Sequence, residues 1–160
     1  DDDSLAWLEA QFPEVRTIEL EKNFGFASGY NKVIAQLEDY EYIVLLNSDV
    51  EINSPWMAPL LRRMQDNEQL AALQPKILWQ LQPHKFEYAG ASGGYMDRYG
   101  YPFCRGRIFD ELEEDRGQYD SFEYVFWASG ACLMVRRESY VRLGGLDASF
   151  FAHMEEIDLC

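Results

Sequence analysis

The chain is short of cysteine, histidine and positive charge. Three cysteines, Cys104, Cys132 and Cys160, lie far apart in 160 residues, and no Cys-x-x-Cys or Cys/His ligand spacing occurs. That argues against a zinc site and against a disulfide framework, and it fits a reducing compartment. Lysine and arginine total 14 against 28 aspartates and glutamates, a formal net charge of -14. A nucleic-acid surface needs clustered Lys and Arg, so no nucleic-acid partner is expected. No apolar run approaches the roughly 18 residues of a membrane span, and no signal-peptide pattern opens the chain. Gly-x-Gly-x-x-Gly and Walker A loops are absent too, which disfavours a Rossmann dinucleotide site or a P-loop. There is no internal repeat and no low-complexity linker, so residues 1–160 read as one domain. The chain lacks an initiating Met, opens on "DDDSLAWLEAQF" as if starting a helix, and ends on "HMEEIDLC" as if inside one. An internal fragment of a longer protein is the expectation.

What is present is a globular composition, 48% apolar and 15% aromatic, long enough for one real core. Asp3 or Ser4 can cap a first helix to about Phe12, with Leu5, Leu8 and Phe12 on one face, and Pro13 stops it. "VRTIEL" (15–20) reads as a short strand. A helix follows Asn23 to Ala27 and runs to about Leu37, then the strand Tyr42 to Leu46. Ser54-Pro55 resembles an N-cap with Pro at the first helical position. Pro59 predicts that this helix kinks or begins a turn late. "LAALQPKILW" is the next strand segment, and residues 86–106 read as irregular hairpins and loops. "EYVFWASGACLMVRR" is a long strand signal interrupted at Ser129-Gly130. "ESYVRLGG" is a short helix ended by Gly144, and another helix begins near Phe151. The acidic stretch Asp110 to Glu123 reads as a solvated loop. The alternation predicts an α/β fold, a mixed and mostly parallel sheet with helices on both faces. Ligands in such sheets bind beyond the C-terminal ends of the strands.

Four constellations could carry chemistry there. In "YIVLLNSDVEI" an apolar strand delivers Asn47, Ser48 and Asp49 to its end. An acid in that place can hold a divalent cation against a diphosphate, or can simply cap the next element. In "NFGFASGYN" Gly25 and Gly29 flank a helix entry whose backbone amides suit an anion, with an ordinary N-terminus capped by Asn23 as the other reading. In "HMEEIDLC" the carboxylates Glu155, Glu156 and Asp158 lie beside Phe150 and Phe151. One of them could have a raised pKa and serve as a base, or all three could be a charged first helical turn. His153 has no partner at ligand spacing and reads as structural. In "FWASGACLMVRR" Trp127 precedes a glycine break, which suits close approach by a sugar, or it is a core tryptophan.

The order and spacing of these stretches resemble the family 2 glycosyltransferases, in particular their rhamnosyltransferase-like bacterial subgroup. "NFGFASGYN" is similar to the family's N-x-G-F-A-x-G-x-N turn, and "LLNSD" to its LLNPD version of the metal-binding DxD motif. "SGACLMVRRESYVRLGGLDASFFAHMEEIDLC" resembles SGA-x-x-x-x-RR…GGFDE-x-FF-x-x-x-EDVDLC. The resemblance covers nearly the whole chain. It implies a GT-A fold lacking its first strands, and inverting transfer of a sugar from a nucleotide-diphosphate donor to a hydroxyl of a saccharide or lipid-linked acceptor.

On that resemblance Asp49 corresponds to the acid that binds Mg2+ or Mn2+, and Asn47 stands where the family has the first acid. Glu156 falls on the catalytic base, with Glu155 and Asp158 as fallbacks; Glu is one methylene longer than the family's Asp. Asn23, Gly25, Phe26, Gly29, Asn31, Asn47, Ser48 and Asp49 correspond to the donor side, and Tyr30 stands where many relatives carry Arg. Trp127, Ser129 and Gly130 match the segment beside the donor sugar and acceptor. A dTDP- or UDP-sugar donor, a role in cell-surface polysaccharide synthesis, and a cytoplasmic location, at most peripheral at the inner membrane face, follow from the same resemblance. Any membrane attachment would run through parts absent here. A non-catalytic carbohydrate-binding or scaffolding module and a nucleotidyltransferase are the rival readings.

Overall fold

In the computed structural model, which describes residues 3–52, 55–88, 90–150 and 153–160, helix α1 (Ser4–Gln11) leads to α2 (Phe26–Ile34) and strand β1 (Tyr42–Leu46). Helix α3 (Met57–Asp66) carries the chain to β2 (Ala72–Leu73). Six short strands follow: β3 (Leu78–Trp79), β4 (Gln82–Phe86), β5 (Gly94–Met96), β6 (Pro102–Cys104), β7 (Arg107–Ile108) and β8 (Glu111–Leu112). Strand β9 (Cys132–Arg136), helix α4 (Arg137–Leu143) and helix α5 (Glu155–Leu159) complete the order.

The principal sheet has the order β1-β9-β2. Both pairings are antiparallel, with Ile43 opposite Val135, Leu45 opposite Leu133 and Leu73 opposite Met134. The mostly parallel sheet expected from the alternation is therefore corrected: every described ladder is antiparallel. The reason is β9. It enters between β1 and β2 in the reverse direction, so those two, linked through α3, run parallel to each other without touching. The α/β character survives, and so do helices on both faces. Ile43, Leu45, Leu133 and Val135 point to one side, where Ala27 and Ile34 of α2, Tyr140 of α4 and Leu146 close over them. Val44, Tyr42, Met134 and Leu73 point to the other side, against Leu60, Leu61 and Met64 of α3. Period-2 alternation along each strand divides the two cores.

Several local expectations shift. "VRTIEL" pairs with no strand among the described residues, and α1 buries no side chain. Helix α3 begins at Met57, so Pro59 falls in its first turn, where a missing N–H loses no intrahelical bond. The late start replaces a kink. The cap expected at Ser54 and the helix start expected at Phe151 lie outside the described residues. The long strand expected from 123 onward shortens to β9, with Trp127 joined to Gly94 by one isolated bridge. The acidic stretch is partly structured: Glu111 and Leu112 pair with β7, and Lys76 Nζ sits 2.6 Å from Asp115 and 2.5 Å from Asp120. Gly144 ends α4 with φ 92°, as a left-handed cap should.

Leu133 is fully buried in the middle strand, whereas Leu81 is 78% exposed. Leu133→Ala is expected to cost about 2–5 kcal/mol through lost burial and a residual cavity, and Leu81→Ala less than about 0.5 kcal/mol. Urea unfolding midpoints of the two variants check this.

Candidate active site

Because β1 and β9 are antiparallel, the end of one meets the start of the other. The Asn47 amide donates to Ala131 O at 3.0 Å, and the Val50 amide turns back to Asn47 O at 3.3 Å. This tight turn leaves Ser48 and Asp49 exposed beyond the strand. No hydrogen bond or ion pair engages the Asp49 carboxylate among the described residues. The Tyr30 hydroxyl closes the same strand end, donating to Leu46 O at 3.2 Å and accepting from Leu46 N at 3.3 Å. Tyr30 in turn sits edge-on to Phe26, with ring centroids 4.8 Å apart.

Phe26 reaches the opening of β9. A Cβ placed on Gly130 would lie 3.5 Å from the Phe26 ring and 3.5 Å from Glu156 Cβ. Glu156, from α5, therefore packs directly over Gly130. Three motifs, the first more than a hundred residues before the other two, meet at one point, at the end of the sheet that bears Asp49. Ser129 is fully buried behind them, and its amide donates to Gln74 Oε1 at 2.6 Å. Gln74 also donates from Nε2 to Gly90 O at 3.0 Å. Sequence reasoning missed Gln74; the available signal was an amide side chain ending β2 just before a proline.

At the entry to α2, Asn23 Oδ1 accepts from the Gly25 amide at 2.8 Å. Gly25 takes φ 76°, a left-handed conformation that a side chain would strain, and open space surrounds it. Gly29 donates to Gly25 O at 3.1 Å, and Leu20 lies 4.0 Å from its Cβ position. The turn is thus built without a side-chain cap on the helix.

Two expected site residues lie elsewhere. Trp127 is buried: Gly94 stacks against its ring, and its indole N–H donates to Tyr95 O at 2.9 Å. The indole packs against the 90–94 turn behind Ser129, the core placement that was the other reading of this residue. Asn31 turns away from the donor side. Its amide binds the backbone of Leu146 beyond α4.

Of the three carboxylates on α5, Asp158 is exposed. Glu155 is only 6% exposed, and its Oε2 finds no partner among the described residues. Glu156 is half-buried between Gly130 and Phe26. Burial pushes its pKa above the usual glutamate range, and the charge of Glu155 adds to that. Its own backbone amide, that of Gly130 and His153 pull the other way. A carboxylate held this way gains proton affinity without losing its hydrogen-bond donors.

Among the described residues no group of three or more His, Cys, Asp or Glu side chains could enclose a metal ion. One exposed carboxylate, Asp49, with the Asn47 amide two residues away, fits a hard cation that brings phosphate oxygens as most of its ligands. It does not fit a cation caged by protein alone.

An α/β sheet with an acid at a strand's C-terminal end and a glycine turn opening a helix is consistent with the GT-A fold of nucleotide-sugar transferases, and the family match carries that assignment. The chain belongs to glycosyl transferase family 2, whose family model matches residues 1–144. That match contains the Asn23–Asn31 turn, Asp49 and Gly130, and it ends before α5. Two proteins named N-acetylglucosaminyl-diphospho-decaprenol L-rhamnosyltransferase, from Mycobacterium tuberculosis strains CDC 1551 / Oshkosh and ATCC 25618 / H37Rv, are each 26% identical over 162 residues. The alignment covers 93% of this chain and 53% of each relative, so the chain spans about half the length of the relatives it matches.

A raised carboxyl pKa means that the folded state binds more protons than the unfolded one between the two values. The stability contributed by Glu156 is therefore complete below the ordinary glutamate range and is lost as pH rises through its shifted pKa. Glu156→Gln should flatten that decline. Denaturation midpoints of wild type and variant across pH 3 to 8, on the order of the range where carboxyls titrate, should diverge as pH rises, with the variant the more stable at the upper end.

Proposed function

We infer that the full-length protein is an inverting glycosyltransferase that moves a sugar from a nucleotide-diphosphate donor to a hydroxyl of a saccharide or lipid-linked acceptor. The observation that carries this is the meeting of Glu156 with Gly130 and Phe26 at the strand end that bears Asp49. Family membership supports the donor class. The names of the two relatives support a rhamnosyl donor and an acceptor sugar on a lipid diphosphate, in synthesis of a cell-surface polysaccharide.

The donor diphosphate lies beyond β1, at Asp49, with the Asn23–Gly29 turn beside it. A Mg2+ or Mn2+ ion held there by Asp49, with Asn47 alongside, would offset charge on the departing nucleotide diphosphate. Glu156 accepts the proton of the acceptor hydroxyl. That oxygen bonds to the anomeric carbon from the face opposite the diphosphate, and the carbon–oxygen bond to the diphosphate breaks. The nucleotide diphosphate leaves with the bonding electrons. One displacement inverts the anomeric centre, and no covalent glycosyl-enzyme forms. The raised proton affinity of Glu156 suits the step, because a base works best when its pKa approaches the working pH. Gly130, lacking a side chain, lets Glu156 and Phe26 pack closely over the start of β9. No helix among the described residues is long and apolar enough to cross a membrane. A cytoplasmic place of work, with any attachment to the inner membrane face made by other segments, is part of the same proposal and follows from family membership.

Asn47, uncharged where the family has an acid, favours a second reading, a carbohydrate-binding module without turnover. Transfer assays and calorimetry on the full-length protein separate the two. Glu156→Gln is expected to lower kcat by about 10²–10⁴-fold while donor affinity holds. Asp49→Ala is expected to abolish metal-dependent binding of UDP or dTDP. Tight donor binding with no release of nucleotide diphosphate by wild type would leave the binding module standing instead. Release of pyrophosphate would point to a nucleotidyltransferase.

A further inference from the structure

We propose that Asn31 is a positioning residue for the base: its grip on the Leu146 backbone fixes the corner between α4 and α5 and so holds Glu156 over Gly130. This rests on the reading of Glu156 given above. The turn that includes Asn31 resembles a donor-side motif, but its geometry is that of a clamp. Phe26 and Tyr30, four residues apart, form the ridge of α2 that faces the end of β1 and Gly130. Ala27, Asn31 and Ile34 form the neighbouring ridge, with Ala27 and Ile34 in the core. Asn31 therefore points at α4 and not at the exposed strand end.

Its amide is used almost to capacity. Nδ2 donates to Leu146 O at 2.8 Å. Oδ1 accepts from Leu146 N at 3.0 Å and from the Tyr140 hydroxyl at 2.6 Å. One side chain satisfies both backbone groups of Leu146, much as a strand partner would. Leu146 and Tyr140 are buried, so losing Asn31 would strand polar groups away from water. Gly145 is shaped for the clamp. Its φ is 78°, and a Cβ there would collide with Asn31 Oδ1 and crowd the Tyr140 ring. Gly144, with φ 92°, has open space at the same position.

The corner matters to the base because α5 cannot place itself. A five-residue helix has no stability of its own. Leu159 packs against the cluster that contains Leu146, and on the way to α5 the chain turns on Asp147, whose Oδ1 accepts from Ser149 N at 2.8 Å. Anchoring Leu146 thus sets where the segment that carries Glu156 starts.

The test uses the full-length protein with Asn31→Ala, Tyr140→Phe, and the pair Gly144→Ala and Gly145→Ala. Asn31→Ala is expected to lower kcat on the order of 10²-fold, the scale of an ångström misplacement, with donor affinity unchanged. The acidic limb of its pH–kcat profile should move down as Glu156 loses burial. Glu155, His153 and Cys160 are the titratable neighbours of Glu156, and none is altered in these variants. Tyr140→Phe keeps both Asn31 bonds to Leu146 and loses only the hydroxyl's contacts with Asn31 Oδ1 and Leu146 N, so it should show the same changes in smaller measure and carries the test if Asn31→Ala does not fold. Gly144→Ala and Gly145→Ala share backbone strain, but only Gly145→Ala should also move the acidic limb. A parallel loss of donor affinity in Asn31→Ala would return the residue to the donor site and overturn the proposal. An unmoved limb would reduce the clamp to stability alone. The Glu156 titration, followed by NMR on glutamate-labelled protein without substrate, reads the proposal even if no transferase activity is found: its midpoint should drop in Asn31→Ala, and a fixed midpoint sinks it.

Discussion

Strand β9 is hydrogen-bonded along both edges, to β1 on one side and β2 on the other, and four of its five residues are buried. That burial sets the register, because a slip of one residue would turn Leu133 and Val135 from one core to the other. The register in turn places Ala131 beside Asn47 and sets Gly130 just past the end of β1. Every approach to the site follows from it. Asp49 emerges where β1 ends, Glu156 comes down where β9 begins, and Gln74 at the end of β2 holds Ser129 from behind.

Helix α2 turns that strand end into a site. Its two ridges do different work. Phe26 and Tyr30 cover the ends of β9 and β1, and the Tyr30 hydroxyl satisfies Leu46 where no strand does. Ala27, Asn31 and Ile34 bind the helix to the core and to the Leu146 corner. A short motif such as "GFASGYN" therefore reads as one object in sequence and as two in space, a wall at the strand end and an anchor on the corner that leads to Glu156.

Much of this was legible. The strand Tyr42–Leu46 and the polar turn after it announce themselves by an apolar run stopping at "NSD". Helix α4 and its glycine end, and helices on both faces, also follow from spacing. The antiparallel entry of β9 did not, because alternating helices and strands carry no sign of a strand's direction when a long segment of hairpins and loops lies between β2 and β9. "VRTIEL" has strand composition, but a strand needs a partner, and none lies beside it among the described residues. Trp127 was ambiguous for the same reason. Whether an indole is a wall or a platform depends on whether Gly94 comes to lie on it, and Gly94 is thirty-three residues away.

The sequence by itself determined the helices and the strand β1, the acid at its end, the glycine turn before α2 and membership of a recognisable family, because these rest on local propensity and on fixed spacings. Only the tertiary structure decided that Glu156, and not Asp158, lies over Gly130. It alone decided that Asn31 faces Leu146, that Trp127 is interior, and that burial raises the proton affinity of Glu156. Each of those depends on which surfaces lose water together, and that is set by packing between segments far apart in the chain.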